Sequence, residues 1–421
     1  MSRAIRRSLG DDYVWVVVAA TFLSLLVSAG MRAAPGVMML PLERAFGWDR
    51  AMLSAAAGAG IFLYGLTGPF AGALMQAIGI RRTLLGGLLL MSAASLLSLG
   101  MREPWQYILC WGLLSGLGTG AVAPVLGAAI ANRWFVARRG LVMGMLSASA
   151  ATGALVFLPV LAWAGEAGGW RFVVLATGLA PLLLMPLVLW LVPERPAAIG
   201  IAPHGGQLQT APETPVRAAD TIAIAFAGLA RAAREPIFWL LFSTFFVCGL
   251  TTNGLIGVHL IAYCGDMGLG AVQAAGLLAM MGVFDLVGTT ASGWLTDRYD
   301  PRKLLCVYYA LRGISLIALP YSGFDFASLT VFAVFYGLDW IATVPPTMKL
   351  TTEAFGDRDA PLIFGWVLVG HQLGAALAAV GAGAIRSASG SYLIAFLLAG
   401  AAAMLAGMAS LAIRRPLRAA A

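Results

Sequence analysis

Four ionisable residues lie deep within long apolar stretches of this 421-residue sequence, namely Arg32, Asp285, Arg312 and Asp339. A charged side chain at the centre of a bilayer costs about 2.5–3.5 kcal/mol on an insertion scale. Such side chains therefore face a protein interior, where they contact one another, water or a polar solute. An arginine guanidinium group offers a planar fork of donors to a carboxylate, and an intramembrane aspartate can carry a proton. Together, the four residues predict an interior site for an anion and a proton.

Each of these residues also has a purely structural interpretation. We interpret Arg32 and Arg312 as substrate ligands, and Asp285 and Asp339 as proton-coupling residues. Arg32 could instead extend toward the membrane surface. Asp285 and Arg312 lie at compatible depths in adjacent apolar stretches, so their proximity is inferred, and a structural ion pair is the alternative. Asp339 lies six residues before Pro345, and a simple helix kink is its alternative.

Other polar residues within apolar stretches are weaker candidates for substrate binding. They are His259, His371, Tyr64 and Asn253. A histidine can hydrogen-bond a carboxylate or titrate near neutral pH, and a hydrogen bond between helices is its alternative role. The four cysteines are scattered among apolar residues, and the sequence has no paired metal-ligand spacing. The sequence therefore predicts neither a metal nor a cofactor.

Twelve apolar stretches carry these residues. The sequence is 60% hydrophobic and 11% charged, with a mean hydropathy of +0.87, whereas a soluble protein has about 25% charged residues. Each stretch reaches the ~20 residues that a membrane helix needs, and none alternates with period 2. The sequence therefore predicts an all-α membrane protein with twelve transmembrane helices. The predicted spans are 13–40, 51–75, 82–101, 104–131, 140–165, 170–192, 236–263, 270–296, 302–321, 326–348, 361–385 and 390–413.

A long polar segment divides the predicted spans into two sets of six. It predicts an N-terminal half at 1–192, a cytoplasmic linker at 193–235 with a short interfacial helix near 220–234, and a C-terminal half at 236–421. Of the 27 Lys and Arg residues, 20 fall on the side of the N-terminus and 5 on the other. By the positive-inside rule, both termini are cytoplasmic in a bacterial inner membrane. The basic residues flank apolar spans, so the net charge of +8 does not predict a nucleic-acid partner.

Two loops repeat one pattern at an offset of 221 residues, after the second and the eighth predicted spans. They cover residues 72–84 and 293–305, and a glycine, a leucine and a basic pair recur in both. Parallel halves related in this way are a transporter architecture. The residues predicted to gate the site are Gly72, Gln76, Arg81, Gly293, Asp297, Arg298 and Arg302.

These loops resemble the signature of the major facilitator superfamily, G-x-L-x-D-R-x-G-R-(R/K)-x-L. The second loop matches it well, with Asp300 in place of a glycine, whereas the first has Gln76 where the family has an aspartate. In that superfamily the acidic residue of the loop binds nearby helix ends and arginine, and holds the cytoplasmic side closed. The resemblance implies this role, with full charge, for Asp297 alone. It also implies a fold of two pseudo-symmetric six-helix halves.

Two further segments are Asn132–Phe135 followed by Arg139–Leu141 and Gly144, and His259–Tyr263 followed by Gly265–Gly268. They resemble oxalate:formate exchangers and bacterial monocarboxylate carriers. The eighth helix of monocarboxylate carriers holds Asp-x-x-x-Arg, and this sequence keeps Asp285 but has Thr289 instead of the arginine. His371 stands near the position of the lysine that oxalate exchangers have on the eleventh helix, which argues against oxalate. Arg32 falls about one residue from the first-helix lysine of monocarboxylate carriers.

The combined prediction is a monomeric secondary transporter rather than an enzyme. Its two halves rock about a central site formed mainly by the first, fourth, seventh and tenth spans. A small organic anion is the predicted substrate, with a monocarboxylate favoured, and protons and the lipid bilayer are the other partners. The sequence lacks a P-loop pattern, so a proton gradient acting through Asp285 is the predicted energy source. Two alternatives stay open, namely proton-driven efflux of lipophilic cations and a transporter-like solute sensor.

Overall fold

Long apolar segments fold as helices because only an internally hydrogen-bonded backbone is stable in a bilayer. The computed structural model describes residues 12–207 and 218–413, which are mainly helical, with one isolated β-bridge between Phe135 and His204. The long helices are α1 (Tyr13–Phe46), α2 (Arg50–Ile78), α3 (Ile80–Ser98), α4 (Pro104–Trp134), α5 (Arg139–Gly168), α6 (Trp170–Leu191), α7 (Pro236–Asp266), α8 (Ala271–Arg298), α9 (Pro301–Tyr321), α10 (Phe326–Gly356), α11 (Asp359–Ser389) and α12 (Leu393–Leu411).

These helices have the lengths that a membrane requires. Eleven of the described helices are long and apolar enough to cross a bilayer. α5 has 30 residues and covers the predicted fifth span, and its segment Leu155–Gly168 is a shorter apolar helix. α1 continues to Phe46, beyond the predicted end at residue 40, although it contains two prolines. Prolines are tolerated in membrane helices because neighbouring groups satisfy the freed backbone atoms.

Three of the long helices are interrupted. α4 and α7 contain π-helical segments at Ile108–Leu114 and Leu250–Ile256, respectively. α10 stops being helical after Asp339 and resumes at Val344. It is separated from α11 by Gly356, whose φ of 79° is a conformation that glycine adopts readily. Such interruptions leave backbone donors and acceptors that other groups must satisfy.

Glycines allow α2 and α11 to pack closely along part of their length. A Cβ atom on Gly58 would lie 3.0 Å from the carbonyl oxygen of Ala376, and one on Gly65 would lie 2.4 Å from the Cβ atom of Gln372. A Cβ atom on Gly383 would lie only 2.3 Å from the hydroxyl oxygen of Ser54. Small residues at such positions let membrane helices approach each other without a side chain between them.

The connection between α6 and α7 contains a short helix, Ala218–Ala232, near the position predicted for an interfacial helix. We call the end of the bundle beside this connection the linker face, and the end beside the α1–α2 connection the opposite face. Phe226 of the short helix contacts the rings of Phe70 on α2 and Trp366 on α11, at centroid distances of 6.1 and 5.4 Å. The short helix therefore contacts one helix that precedes the linker in the sequence and one that follows it.

Candidate functional site

A cavity of about 390 Å³ lies between the first six and the last six long helices. Its described lining comes from α1, α2 and α5 before the linker, and from α7, α8, α10 and α11 after it. The seventh and tenth predicted spans therefore contribute as expected, together with the first, whereas no described residue of the fourth lines the cavity. Its polar lining residues are Arg32, Tyr64, Cys248, Thr252, Asn253, Asp285, Trp340, His371 and Gln372.

Arg32 is the arginine of this polar lining. It lies in the middle of the 34-residue α1, half-buried, and its guanidinium carbon lies 4.5 Å from the ring centroid of Tyr64 on α2. Among the described residues, no side chain forms an ion pair or a hydrogen bond with Arg32. A cation over an aromatic face is stabilised by the ring quadrupole while its N–H groups stay available. Arg32 therefore presents donors to the cavity, as the substrate-binding interpretation requires.

Arg312 has a different environment from the one inferred from depth. Its Nε atom donates to the Oδ2 atom of Asp339 over 2.6 Å, and both side chains are buried. Its Nη1 atom donates to the Sγ atom of Cys248 over 3.1 Å. Asp285 therefore does not form an ion pair with Arg312, because the acid that contacts Arg312 is Asp339. Arg312 is not among the residues that line the cavity.

Asp285 lines the cavity and is 5% exposed. Its Oδ1 atom accepts a hydrogen bond from the hydroxyl of Thr289 and another from the backbone N–H of Ile341, each over 2.9 Å. Thr289 occupies the position at which the monocarboxylate resemblance has an arginine. Asp285 thus binds its own helix and α10 rather than a basic side chain.

The two histidines of the prediction lie in different places. His371 lines the cavity with its ring 4.9 Å from that of Phe245, and its Nδ1 atom has no hydrogen-bond partner among the described residues. His259 does not line the cavity. Its Nε2 atom is 2.8 Å from the carbonyl oxygen of Ala379, and its Nδ1 atom is 3.1 Å from the hydroxyl of Tyr392. The contacts of His259 are thus those of the alternative interpretation, a hydrogen bond between helices.

A cluster of four charged residues joins helices from both sides of the linker at the opposite face. We call it the opposite-face cluster, and it consists of Glu43, Arg50, Asp266 and Arg386. Arg50 donates to both carboxylate oxygens of Asp266 over 2.7 Å and to Glu43 over 3.0 Å. Arg386 donates to Asp266 over 2.8 Å. The cluster ties the ends of α1 and α2 to those of α7 and α11.

Tyr392, between α11 and α12, extends this cluster. Its hydroxyl accepts from the Nη1 atom of Arg50 over 3.4 Å and contacts His259. Burial raises the pKa of Tyr392 to about 12, so its hydroxyl is neutral at physiological pH. Sequence reasoning assigned no role to this cluster. Its members lie at helix ends, where charged residues are ordinary, and only Asp266 fell within a motif.

The predicted gate residues lie at the linker face, where three of them have described contacts. Arg302 pairs with Asp300 over 2.7 Å, and the backbone N–H of Arg81 donates to Glu194 over 3.3 Å. Arg298 stacks on Trp294, with its guanidinium carbon 4.0 Å from the ring centroid. The remaining predicted gate residues include the half-buried Gly72 and Gly293 and the exposed Gln76.

Asp297, the residue to which the resemblance assigns the latch, is exposed at the end of α8. Among the described residues it forms no ion pair or hydrogen bond. A Cβ atom on Gly68 of α2 or on Gly365 of α11 would meet no described atom within 4 Å. These two positions on α2 and α11 thus have open space beside them, and no described residue pairs with Asp297.

Comparisons with known proteins agree with this architecture. The family model described as Major Facilitator Superfamily matches residues 21–348 and 286–420. The chain is 27% identical over 421 residues to a protein named "Gallate transporter" from Pseudomonas putida, covering 95% of this chain and 92% of that protein. It is 28% identical over 406 residues to "Monocarboxylate transporter 13" of Rattus norvegicus, covering 92% of this chain and 86% of that protein.

Two further similarities extend over nearly the whole chain. "Uncharacterized MFS-type transporter YcxA" of Bacillus subtilis is 24% identical over 388 residues, covering 90% of each protein. A crystal structure described as peptide transporter POT in complex with sulfate superposes with a TM-score of 0.70 at 17% identity, covering 95% of this chain and 94% of that one. At this identity the structural similarity concerns the fold alone.

Proposed function

Because the chain belongs to the major facilitator superfamily, we propose that it carries a small organic anion, together with a proton, across the bacterial inner membrane. The family match and the structural similarity confirm the predicted fold class, an all-α membrane protein with the architecture of this superfamily. The relatives are transporters rather than enzymes. The substrate class, the proton and the orientation are our proposal.

The observation that supports an anionic substrate best is the position of Arg32. Its guanidinium group faces the cavity and contacts Tyr64, and no described acid pairs with it. A carboxylate could therefore take two parallel hydrogen bonds from Arg32 without displacing an existing ion pair. Apolar side chains such as Phe245 and Leu278 line much of the remaining cavity and suit a carbon skeleton.

The substrate is proposed to be a monocarboxylate with an apolar or aromatic body. Among the described lining residues, Arg32 is the one arginine or lysine, because Arg312 is bound to Asp339 outside the cavity. A second carboxylate would have no equivalent cation to bind, whereas His371 and Gln372 can hydrogen-bond neutral groups. The names of two relatives, a gallate transporter and a monocarboxylate transporter, fit this substrate class.

Asp285 is the proposed carrier of the proton. It lines the same cavity as Arg32, so a proton from the cavity water can reach its carboxylate. A proton on Asp285 removes a negative charge from a largely apolar space at the moment when the substrate brings one in. The two bindings would then favour each other, which is the linkage that symport requires.

Transport is proposed to occur by alternating access between residues 1–192 and 236–421, connected by the linker 193–235. The opposite-face cluster is formed and the latch residue Asp297 has no described ion pair, which supports a conformation closed at the opposite face and accessible from the linker face. The excess of basic residues at the linker face supports its placement in the cytoplasm. The opposite face would then open to the periplasm.

Uptake into proteoliposomes tests this proposal. Radiolabelled benzoate, gallate and lactate are offered with an inward proton gradient, and again after a protonophore has collapsed the gradient. Gradient-dependent accumulation of at least one acid is expected. Arg32→Ala should lower uptake by roughly 30-fold or more, because removing one partner of a buried charge pair costs about 2–5 kcal/mol.

The matched control is Arg44→Ala, which removes an exposed arginine from the same helix and should leave uptake unchanged. Uptake of these acids that is equal in the wild type and Arg32→Ala would contradict anion binding at Arg32. Uptake without any response to the gradient would contradict proton coupling. Gradient-driven export of a lipophilic cation, with no acid transported, would support the efflux alternative instead.

A further inference from the structure

The interruption of α10 forms part of the cavity wall. The helix ends at Asp339, turns through residues 340–343 and begins again at Val344. Trp340 and Ile341, both within the turn, line the cavity, and so does Val344. The position of this wall therefore depends on whatever fixes a segment that has lost its helical hydrogen bonds.

Arg312 of α9 binds the acceptor groups of this interruption. Its Nη2 atom donates to the carbonyl oxygen of Asp339 and, over 3.2 Å, to that of Trp340. Its Nε atom donates to the carboxylate of Asp339, at the end of the first helical segment. The two carbonyl groups belong to the last residue of the helix and the first residue of the turn, where a helix end leaves its carbonyl groups without partners.

The remaining donors of Arg312 are used on α7. Its Nη1 atom donates to the Sγ atom of Cys248 over 3.1 Å and to the hydroxyl of Thr251 over 3.4 Å. A guanidinium group has five N–H donors in a fixed fork. The hydrogen bonds to Asp339, to the two carbonyl groups and to α7 account for all of them. Arg312 consequently has no donor left for a substrate in this conformation.

Asp285 of α8 binds the donor group of the same interruption. Its Oδ1 atom accepts the backbone N–H of Ile341 over 2.9 Å. Arg312 of α9 thus donates to two carbonyl groups of the interrupted segment, and Asp285 of α8 accepts from one of its N–H groups. We call Asp285, Arg312 and Asp339 the α10 clamp.

We propose that Asp285 and Arg312 are positioning residues that hold the Trp340–Ile341 wall of the cavity in the shape that fits the substrate. Arg312 acts through the groups that it binds on α10 and α7 and does not contact the substrate. Asp285 has a second role here, because the side chain proposed to carry the proton also binds the backbone of the wall. The inference rests on the proposed transport function, since it concerns the cavity in which the substrate would bind.

Two substitutions at one position separate the roles of Asp285. Asp285→Asn removes the charge but keeps a carbonyl oxygen that can accept from Ile341, whereas Asp285→Ala removes both. Hydrogen–deuterium exchange of the peptide that covers residues 338–345 reports on the Ile341 amide without any substrate. We expect exchange at least tenfold faster in Asp285→Ala and within threefold of the wild type in Asp285→Asn.

The peptide around Val122 and Ala123 is the internal control, because α4 also breaks there but no residue of the clamp contacts it. Equal exchange in Asp285→Ala and the wild type would overturn the role of Asp285 as a clamp. Faster exchange of both peptides would also overturn it, because the substitution would then loosen the protein as a whole. A failure of proton-coupled uptake in both variants would leave this readout unaffected.

Arg312 is tested by removing its donors and by keeping part of them. Arg312→Gln and Asp339→Asn should each speed exchange of residues 338–345 at least tenfold, and in a transport assay with radiolabelled benzoate, gallate or lactate they should raise KM more than they lower the maximal rate. Arg312→Lys keeps a cation that can donate to the carboxylate and carbonyl oxygens of the interruption, so its exchange should lie closer to the wild type than that of Arg312→Gln. If Arg312→Gln raised KM while exchange of residues 338–345 stayed at the wild-type rate, Arg312 would bind the substrate directly, and that result would overturn the inference.

Discussion

The two ends of the molecule are held by different chemistry. At the opposite face, α2 and α11 pack at glycine contacts, and Arg50 and Arg386 share the carboxylate of Asp266. At the linker face, Gly68 of α2 and Gly365 of α11 have open space beside them, and one aromatic ring of the short helix, Phe226, contacts both helices. A bidentate pair of an arginine and a carboxylate fixes the geometry of an interface, whereas a single ring contributes mainly apolar contact area. The end with the ion pairs is therefore the one we expect to set the conformation.

The largest expected effect comes from reversing a charge in the opposite-face cluster. Asp266→Lys places a third cation beside Arg50 and Arg386 and removes the carboxylate that the buried guanidinium group of Arg50 binds. Because Asp266 is partly exposed, the cost is about 2 kcal/mol, less than the ~3–5 kcal/mol for a fully buried pair. Uptake should fall by roughly 30-fold, since each ~1.4 kcal/mol is a factor of ten. The double variant R50D/D266R restores one ion pair across the interface and should recover much of the uptake. If the double variant were no better than Asp266→Lys, the cluster would not be acting as a pair.

A crosslink at each end sharpens the comparison. The hydroxyl of Ser387 donates to the carboxylate of Asp49 at the opposite face, so cysteines at these two positions should form a disulfide under mild oxidation. In a background without the four native cysteines, this disulfide should block transport by about tenfold or more and release it on reduction. The matched pair is Gly68→Cys with Gly365→Cys at the linker face, which should crosslink far less in the absence of substrate. Equal crosslinking at both ends would contradict the asymmetry.

A moderate effect is expected from the latch residue. Asp297 is unpaired among the described residues here, so Asp297→Asn should leave this conformation unchanged and destabilise only the one closed at the linker face. Hydrogen bonds to charged groups contribute about 1.5–3 kcal/mol, so turnover should slow by roughly 10-fold. Substrate affinity measured from the linker face should not fall. An unchanged turnover would show that Asp297 has no latch partner in either conformation.

The smallest effect concerns the aspartates that begin α9 and α10 at the two ends. Asp325 accepts from the backbone N–H groups of Ala327 and Ser328 at the opposite face, and these bonds, first that of Ser328, hold the pKa of Asp325 below its ordinary value. Because the folded-state pKa is lowered, its stabilisation is present at neutral pH and disappears as the pH falls through that pKa.

Asp325→Ala should therefore lower the melting temperature slightly at pH 7 and not at all in strong acid. Thermal unfolding in detergent at both pH values checks this expectation. Asp300→Ala, at the start of α9 on the linker face, is the matched substitution and should lower the melting temperature more, since Asp300 also pairs with Arg302. If Asp325→Ala lowered the melting temperature more than Asp300→Ala, the ion pair between Asp300 and Arg302 would add no stability to the helix cap at Asp300.

The sequence alone was enough to predict the fold and to place one cavity residue, Arg32, inside the protein. Hydropathy gave the helices because the bilayer imposes their length and composition, and the repeated loop led to the superfamily. Arg32 could be placed inside the protein because a charge so deep in a span has few other positions. These conclusions needed only one-dimensional information.

The acid that pairs with Arg312 could not be predicted from the sequence. Depth along two spans gives a height in the membrane, but the rotation of each helix decides which acid an arginine meets. Asp285 and Asp339 both lay at plausible heights, and the helix rotations select Asp339. The hydrogen bond from Ile341 to Asp285 was also out of reach, because it requires knowing where α10 is interrupted. The same limit applies to Arg50 and Asp266, which are 216 residues apart in the chain.

The pairing of Arg312 with Asp339 also bears on how the chain enters the membrane. The two residues are 27 positions apart, on consecutive antiparallel helices, so synthesis delivers the arginine first and its acid one helix later. If α9 and α10 leave the translocation machinery together as a hairpin, their two charges enter lipid as a neutral pair. Arg32 has no described partner of this kind, and α1 enters as the first span. We therefore expect stable insertion of α9 to depend on α10. The burial of Arg32 on α1 depends instead on the helices that are synthesised later and form the cavity.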